Sequence, residues 1–117
     1  MQNTPRLTVT SEADVMIAEL VDKKILDELA ITQIQEQLTA VLAPTIAPKL
    51  VMDFSRVAHM SSSALGMLIT LHKRIREKKG ELRLCGISPS IYEVFVITRL
   101  NEIFRIVQTR AEALTSF

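Results

Sequence analysis

Leu7–Thr8–Val9–Thr10 alternates apolar and polar residues, the period-two pattern of a strand covered on one face. Ala13–Asp14 supplies a turn, and Val15 to Val21 reads as a second strand folded back on the first as a hairpin. Asp22–Lys23–Lys24 breaks the pattern. Asp27 is placed to cap a helix, because its short carboxylate can accept from an unpaired first-turn amide. Ile31, Ile34, Leu38 and Val41 then recur every three or four residues and share one helix face, and Pro44 and Pro48 end that helix.

Leu50–Val51–Met52, just before Asp53–Phe54, is a short unbroken apolar run, as expected of a strand covered on both faces. Ser61–Ser62–Ser63 opens the next helix, whose stripe is Leu65, Leu68, Ile69, His72 and Ile75. Leu68, Ile69 and Ile75 are expected against the sheet. Met67 and Leu71 widen the stripe, which admits deeper burial or a partner surface, with burial favoured. Gly80 fits the left-handed residue that closes a helix. Leu82–Cys85 is the next strand, and Ser88–Pro89 starts a helix with Ile91, Val94 and Phe95 as its buried face. Ile103–Val107 reads as the last strand, and Thr109 with Glu112 forms a capping box for a terminal helix.

Strands alternating with helices give an α/β fold: a mainly parallel sheet with right-handed crossovers, helices packed on it, and an antiparallel edge from the first hairpin. The chain of 117 residues is expected to be a single domain, with residues 1–5 as a flexible N-terminal tail. Hydrophobic residues make up 48% of it and Trp is absent, so the core is aliphatic.

Net charge is +1, and the one basic cluster, from Lys73 to Lys79, reads as a solvated helix face, so nucleic acid is not an expected partner. No apolar run reaches about 18 residues, so membrane insertion is not expected either. The N-terminal residues have no basic-then-apolar pattern of a secretion signal, which makes the cytoplasm the expected location. Cys85 is the one cysteine and reads as a small buried hydrophobe. It and the two histidines, His59 and His72, show no metal-ligand spacing. Phosphate-loop, dinucleotide and nucleophile-elbow motifs are absent. The expectation is a protein that is not an enzyme, with no catalytic residue, metal or cofactor.

The serine run exceeds what capping requires, since a helix needs one N-cap. Amides at a helix start point outward and the dipole there favours negative charge. A phosphoryl group on a first-turn serine would bring close to two charges and three acceptor oxygens to that place. Such a site lies at the carboxyl end of a parallel strand, where α/β folds place function.

The stretch Leu50–Val51–Met52–Asp53–Phe54–Ser55–Arg56–Val57, followed by Met60–Ser61–Ser62–Ser63–Ala64–Leu65–Gly66, resembles the central signature of STAS domains of the anti-sigma factor antagonist type. Cys85–Gly86–Ile87–Ser88–Pro89, Val94–Phe95, Leu100 and Ile103–Phe104 also resemble the family. The resemblance implies a partner-exchange switch. Without phosphate, the antagonist binds an anti-sigma factor, often a histidine-kinase-like Ser/Thr protein kinase, and so frees a sigma factor for transcription. Phosphorylation ends the binding and a Ser phosphatase restores it.

Carried over by position, Ser63 is the phosphoacceptor, with Ser62 as the alternate. The partner-binding residues are Asp27, Asp53, Ser55, Ser61, Ser62, Ser63 and Met67. Homodimerisation is compatible with this reading. The alternative is a STAS module that docks without phosphorylation into a larger signalling or transport complex. Three features depart from the family pattern: Ser61 stands for its Asp, Ala64 stands for its Gly, and its Gly-Glu-Leu-Asp turn is missing, with Asp27 the best match to that Asp.

Overall fold

The computed structural model describes residues 6–117; the expected tail, residues 1–5, lies outside them. The hairpin forms as expected from β1 (Leu7–Glu12) and β2 (Val15–Leu20). It turns at Ala13–Asp14, with Ala13 in the left-handed region at φ 54°. The parallel strands are β4 (Lys49–Asp53), β6 (Glu81–Cys85) and β7 (Arg105–Ile106). Sheet order is β1-β2-β4-β6-β7, with only the β1–β2 pair antiparallel.

The apolar run of β4 is buried from Leu50 to Asp53. Side chains alternate across the sheet, so coverage of both faces needs two layers. Leu50, Met52, Leu82 and Leu84 point into the larger core with α1 (Glu28–Leu42), α2 (Ser62–Glu77) and α3 (Pro89–Ile97). Val51 and Cys85 point the other way, where α4 (Arg110–Leu114) closes a smaller core with Val15, Ile17 and Ala113.

Caps fall where expected. Asp27 accepts from the Ala30 amide at 2.7 Å, Ser61 from Ala64 at 3.2 Å, Ser88 from Ile91 at 3.4 Å and Thr109 from Glu112 at 3.1 Å. Ile31, Ile34, Leu38, Leu65, Leu68 and Ile75 are buried, and so are Met67 and Leu71.

Several expectations are corrected. Ile69 and His72 are only half-buried, because the α2 stripe narrows beside the short edge strand β7. In α1 the last core position is Leu42, with Val41 half-buried. Val94 is 41% exposed, since Ile91 and Phe95 alone form the inner face of α3. The last strand shrinks to Arg105–Ile106 because a 3₁₀ turn (Leu100–Glu102) leaves Ile103 outside and Phe104 inside.

The α2 terminus closes through Lys79, not Gly80, in the left-handed conformation at φ 62°. Gly80 and Lys79 donate to the carbonyls of Ile75 (2.8 Å) and Arg76 (2.9 Å), the paired bonds of a Schellman motif. Gly80 is required for space: a Cβ there would lie 2.2 Å from the Pro48 carbonyl oxygen. The pair β3 (Lys24–Ile25) and β5 (His59–Met60) is additional, because strands of two residues leave no period in a sequence.

Leu68→Ala and Ile75→Ala should each cost about 2–5 kcal/mol in chemical denaturation. Ile69→Ala should cost clearly less. Gly80→Ala should cost about 1–3 kcal/mol through overpacking against Pro48. Equal losses at Leu68 and Ile69 would contradict the packing described.

Candidate functional site

The starts of α1 and α2 are fastened together by the small parallel pair. Lys24 pairs with His59 and Ile25 with Met60. The Ser61 amide donates to the Ile25 carbonyl at 3.0 Å, and the Ala58 and His59 amides donate to the Lys23 carbonyl at 2.7 and 3.2 Å. Asp27, two residues past Ile25, therefore caps α1 beside the place where Ser61 caps α2. Both helix starts are thus presented at the carboxyl side of the main sheet.

Ser62 and Ser63 are the first two residues of α2 and both are exposed. Their hydroxyls make no hydrogen bond among the described residues. The first turn of α2 carries no acidic side chain, so its outward amides and positive dipole end are uncompensated. A carboxylate or phosphoryl oxygen would be favoured there. Ala64 is fully buried and its methyl belongs to the larger core, so this departure from the family's Gly adds packing at that position.

The serines have an apolar neighbourhood that sequence reasoning missed. Leu26 and Leu29 flank Asp27 and are 52% and 64% exposed. Sequence spacing gave no hint, because only the β3–β5 pairing brings the start of α1 beside α2.

Two residues expected to contact a partner sit inside the chain. Met67 is 4% exposed and packs in the larger core, being on the side of α2 that faces α1. Asp53 is 6% exposed, at the end of β4. Its Oδ2 accepts from Arg110 Nε at 3.0 Å and Nη2 at 2.7 Å, and its Oδ1 accepts from the Ser55 amide at 2.9 Å. Asp53 thus ties the first residue of α4 to the loop that leads to the serines. Ser55 itself is exposed on that loop.

Glu19 extends the cluster, 3.7 Å from Arg110 and 3.5 Å from Arg56. Gly86, at φ 70°, leaves room for it, since a Cβ would lie 2.9 Å from Asp53 Oδ1 and 3.0 Å from the Ser55 nitrogen. Arg110 was not legible as a partner of Asp53, being 57 residues away.

Burial pushes the Asp53 pKa up, but the hydrogen bonds from Ser55 and the Arg110 guanidinium outweigh it and hold the carboxyl below its ordinary value. Burial, with the Asp53 charge beside it, pushes the Cys85 thiol up to about 12. Burial, then the nearby Arg76, lowers the His72 pKa; its ring meets Phe104 edge-on at 5.4 Å and its Nδ1 is buried without a partner. His59 is exposed on β5. Among the described residues, no group of three or more His, Cys, Asp or Glu is arranged to hold a metal ion.

The lowered Asp53 pKa means that its stabilisation is complete above the ordinary carboxylate pKa and is lost as pH falls through the lowered value. Arg110→Gln should cost about 1.5–3 kcal/mol at neutral pH. Its deficit relative to the native chain should begin to shrink below about pH 4 and close only as pH falls through the lowered Asp53 pKa of the native chain. Denaturation at several pH values checks this, and a deficit independent of pH would refute it. Cys85 should resist thiol reagents in the native state and react once denatured; rapid native labelling would contradict both its burial and its raised pKa.

Comparison with known proteins places this geometry. The model of the STAS domain family matches residues 6–113. A Bordetella bronchiseptica protein described as a candidate anti-sigma factor antagonist, BtrV, is 34% identical over 85 residues, 70% of this chain and 73% of that protein. The Listeria monocytogenes anti-sigma-B factor antagonist is 27% identical over 107 residues, 88% of this chain and 85% of that one. The solved structure of a STAS-domain anti-sigma-factor antagonist from Planctomyces limnophilus superposes with a TM-score of 0.82 at 30% identity, covering 92% of this chain and 93% of that one. With a family match across nearly all its described residues and the serine-bearing helix start in the same fold, the chain belongs to the STAS domain family, among the anti-sigma factor antagonists.

Proposed function

We propose that this chain is a phosphorylation-regulated switch. Unphosphorylated, it binds an anti-sigma factor that is also a Ser/Thr kinase of the histidine-kinase-like type, and so frees a sigma factor for transcription. The observation that carries the reading is the exposure of Ser62 and Ser63 at a helix start, beside the exposed Leu26 and Leu29. The names of the relatives support it. The two leucines supply apolar contact area, while the serine hydroxyls are small and neutral enough to be covered by a partner.

Ser63 is the phosphoacceptor in this reading. Phosphate on it adds close to two negative charges, which the uncompensated α2 terminus tolerates, so the fold persists. A partner surface shaped for a hydroxyl would have to bury that charge unpaired, at a cost of several kcal/mol. Each 1.4 kcal/mol is about tenfold in affinity, so binding falls by more than about a hundredfold. A Ser phosphatase resets the switch. The antagonist itself supplies no catalytic group, and its place of action is the cytoplasm. Asp53 acts through the loop it holds, and Met67 through the packing of α2, not by touching the partner.

Ser63→Asp should abolish binding to the cognate anti-sigma factor with unfolding midpoints unchanged or slightly raised. Ser63→Ala should keep binding and lose phosphorylation. Incubation with that kinase and ATP, followed by peptide mass spectrometry, locates the phosphate. Phosphate on Ser62 would move the site by one residue, and none on any serine would favour a module that docks unmodified into a larger complex.

A further inference from the structure

The two edges of the main sheet differ. β7 is two residues long and begins with Arg105, the short, charged form in which an edge resists further pairing. β1 is six residues long, and its sequence, Leu7–Thr8–Val9–Thr10–Ser11–Glu12, holds no Pro and no Lys. It pairs with β2 in unbroken register, without a bulge, and has no other strand neighbour among the described residues. From Thr8 to Glu12 every residue is exposed. Such an edge is a template for another strand.

The ladder decides which backbone groups the edge offers. The Val21 amide donates to the Arg6 carbonyl at 3.1 Å. Bonded and non-bonded positions alternate along an antiparallel pair, so Thr8, Thr10 and Glu12 are the residues bonded to β2. Leu7, Val9 and Ser11 therefore point their amides and carbonyls away from it. These outward groups are spaced symmetrically about Val9, and that symmetry selects the occupant. A second copy laid antiparallel, with Val9 opposite Val9, sets Leu7 opposite Ser11, and each outward amide meets an outward carbonyl. Centring the pair on Thr8 or Thr10 instead leaves Ser11 or Leu7 without a partner.

The side chains suit the same register. Thr8 falls opposite Thr10 of the copy, a favourable cross-strand pair. Val9, 38% exposed on the face where Leu7 is buried, meets its own copy. Glu12 has no cationic partner among the described residues, and it falls opposite Arg6 of the copy, not opposite a second carboxylate. We propose that two copies of this chain join through β1, antiparallel and centred on Val9, so that their sheets become one. This pairing consumes the free edge and leaves only the short one, so assembly closes at two copies. The two-fold axis through Val9 reverses strand direction. The carboxyl ends of the parallel strands, with Ser62 and Ser63, therefore point opposite ways, and both stay open.

Sedimentation of the full chain at rising concentration, with amide exchange followed by NMR, tests it. One strand edge makes a smaller interface than the standard size, so a reversible dimer in the micromolar range is expected. Exchange at Val9 and Ser11 should slow as the dimer fills, while Thr8 and Thr10 are protected at every concentration. Val9→Pro removes an outward amide and no bond to β2, so the fold should persist and the dimer be lost. Val9→Lys sets like charges together on the axis and should weaken the dimer by about tenfold or more. Mixing Val9→Lys with Val9→Glu copies should restore pairing. Should Val9→Pro not fold, the charge exchange decides alone.

A monomer at every concentration, growth past two copies, or a dimer indifferent to the Val9 substitutions would overturn the proposal. Slow exchange at Val9 and Ser11 in a chain that stays monomeric would overturn it too, since the edge would then be covered within one chain.

Discussion

From Leu50 to Asp53, β4 is buried on both faces. Leu50 and Met52 are enclosed on one face and Val51 on the other, all fully buried, with β2 and β6 hydrogen-bonded along its two edges. A strand in that position must be covered by two layers, and the chain supplies them unequally. Three helices, α1, α2 and α3, form the larger core, while the five-residue α4 closes the smaller one. Parallel neighbours in turn require crossovers, so the chain leaves β4 at its carboxyl end, passes through the loop that carries Ser55, and enters α2 at the serines. The position of the exposed serines is a consequence of burying this strand.

The two layers are linked at that end by charge. Asp53 sits where β4 emerges, on the α4 side, and its carboxylate receives both the Arg110 guanidinium and the Ser55 amide. A nearly buried carboxylate needs such donors, because burial alone would favour its neutral form. Gly86 serves the same cluster by leaving space that any side chain would fill. The terminal helix is therefore tied, through one side chain, to the loop that precedes the exposed serines.

The small β3–β5 pair does a different job. It contributes only four residues, of which Ile25 is buried in the larger core, and its backbone bonds hold the α1 and α2 starts in register. Ser61 illustrates the economy: its amide binds the Ile25 carbonyl, its hydroxyl caps α2, and its carbonyl accepts the Leu65 amide. Its hydroxyl is engaged as the cap acceptor, whereas Ser62 and Ser63 have both hydroxyls unengaged by the described residues. This separates the capping serine from the two exposed ones, a distinction that three identical residues in a row conceal.

Periodicity and capping chemistry were enough to place the hairpin, the strands β4 and β6, and all four helix starts, because those features depend on residues close in sequence. The α/β class followed from their order, and the serine run stood out because a helix needs one cap. Contacts between distant segments were not legible. Arg110 and Asp53 are an ordinary cation and an ordinary anion until the sheet brings them within 2.7 Å. Leu26, just before the α1 cap, and Leu29, in its first turn, stay exposed because Ile31, Ile34 and Leu38 take the inner face. Met67 admitted burial or a partner contact, with burial favoured, and the packing of α2 against α1 places it inside. Local sequence determined which segments become helix or strand and which side chains cap them, since those energies arise within a few residues. Which faces meet, which charges pair and which apolar residues remain exposed was decided by tertiary packing, because those energies exist only once segments far apart in the chain share one place.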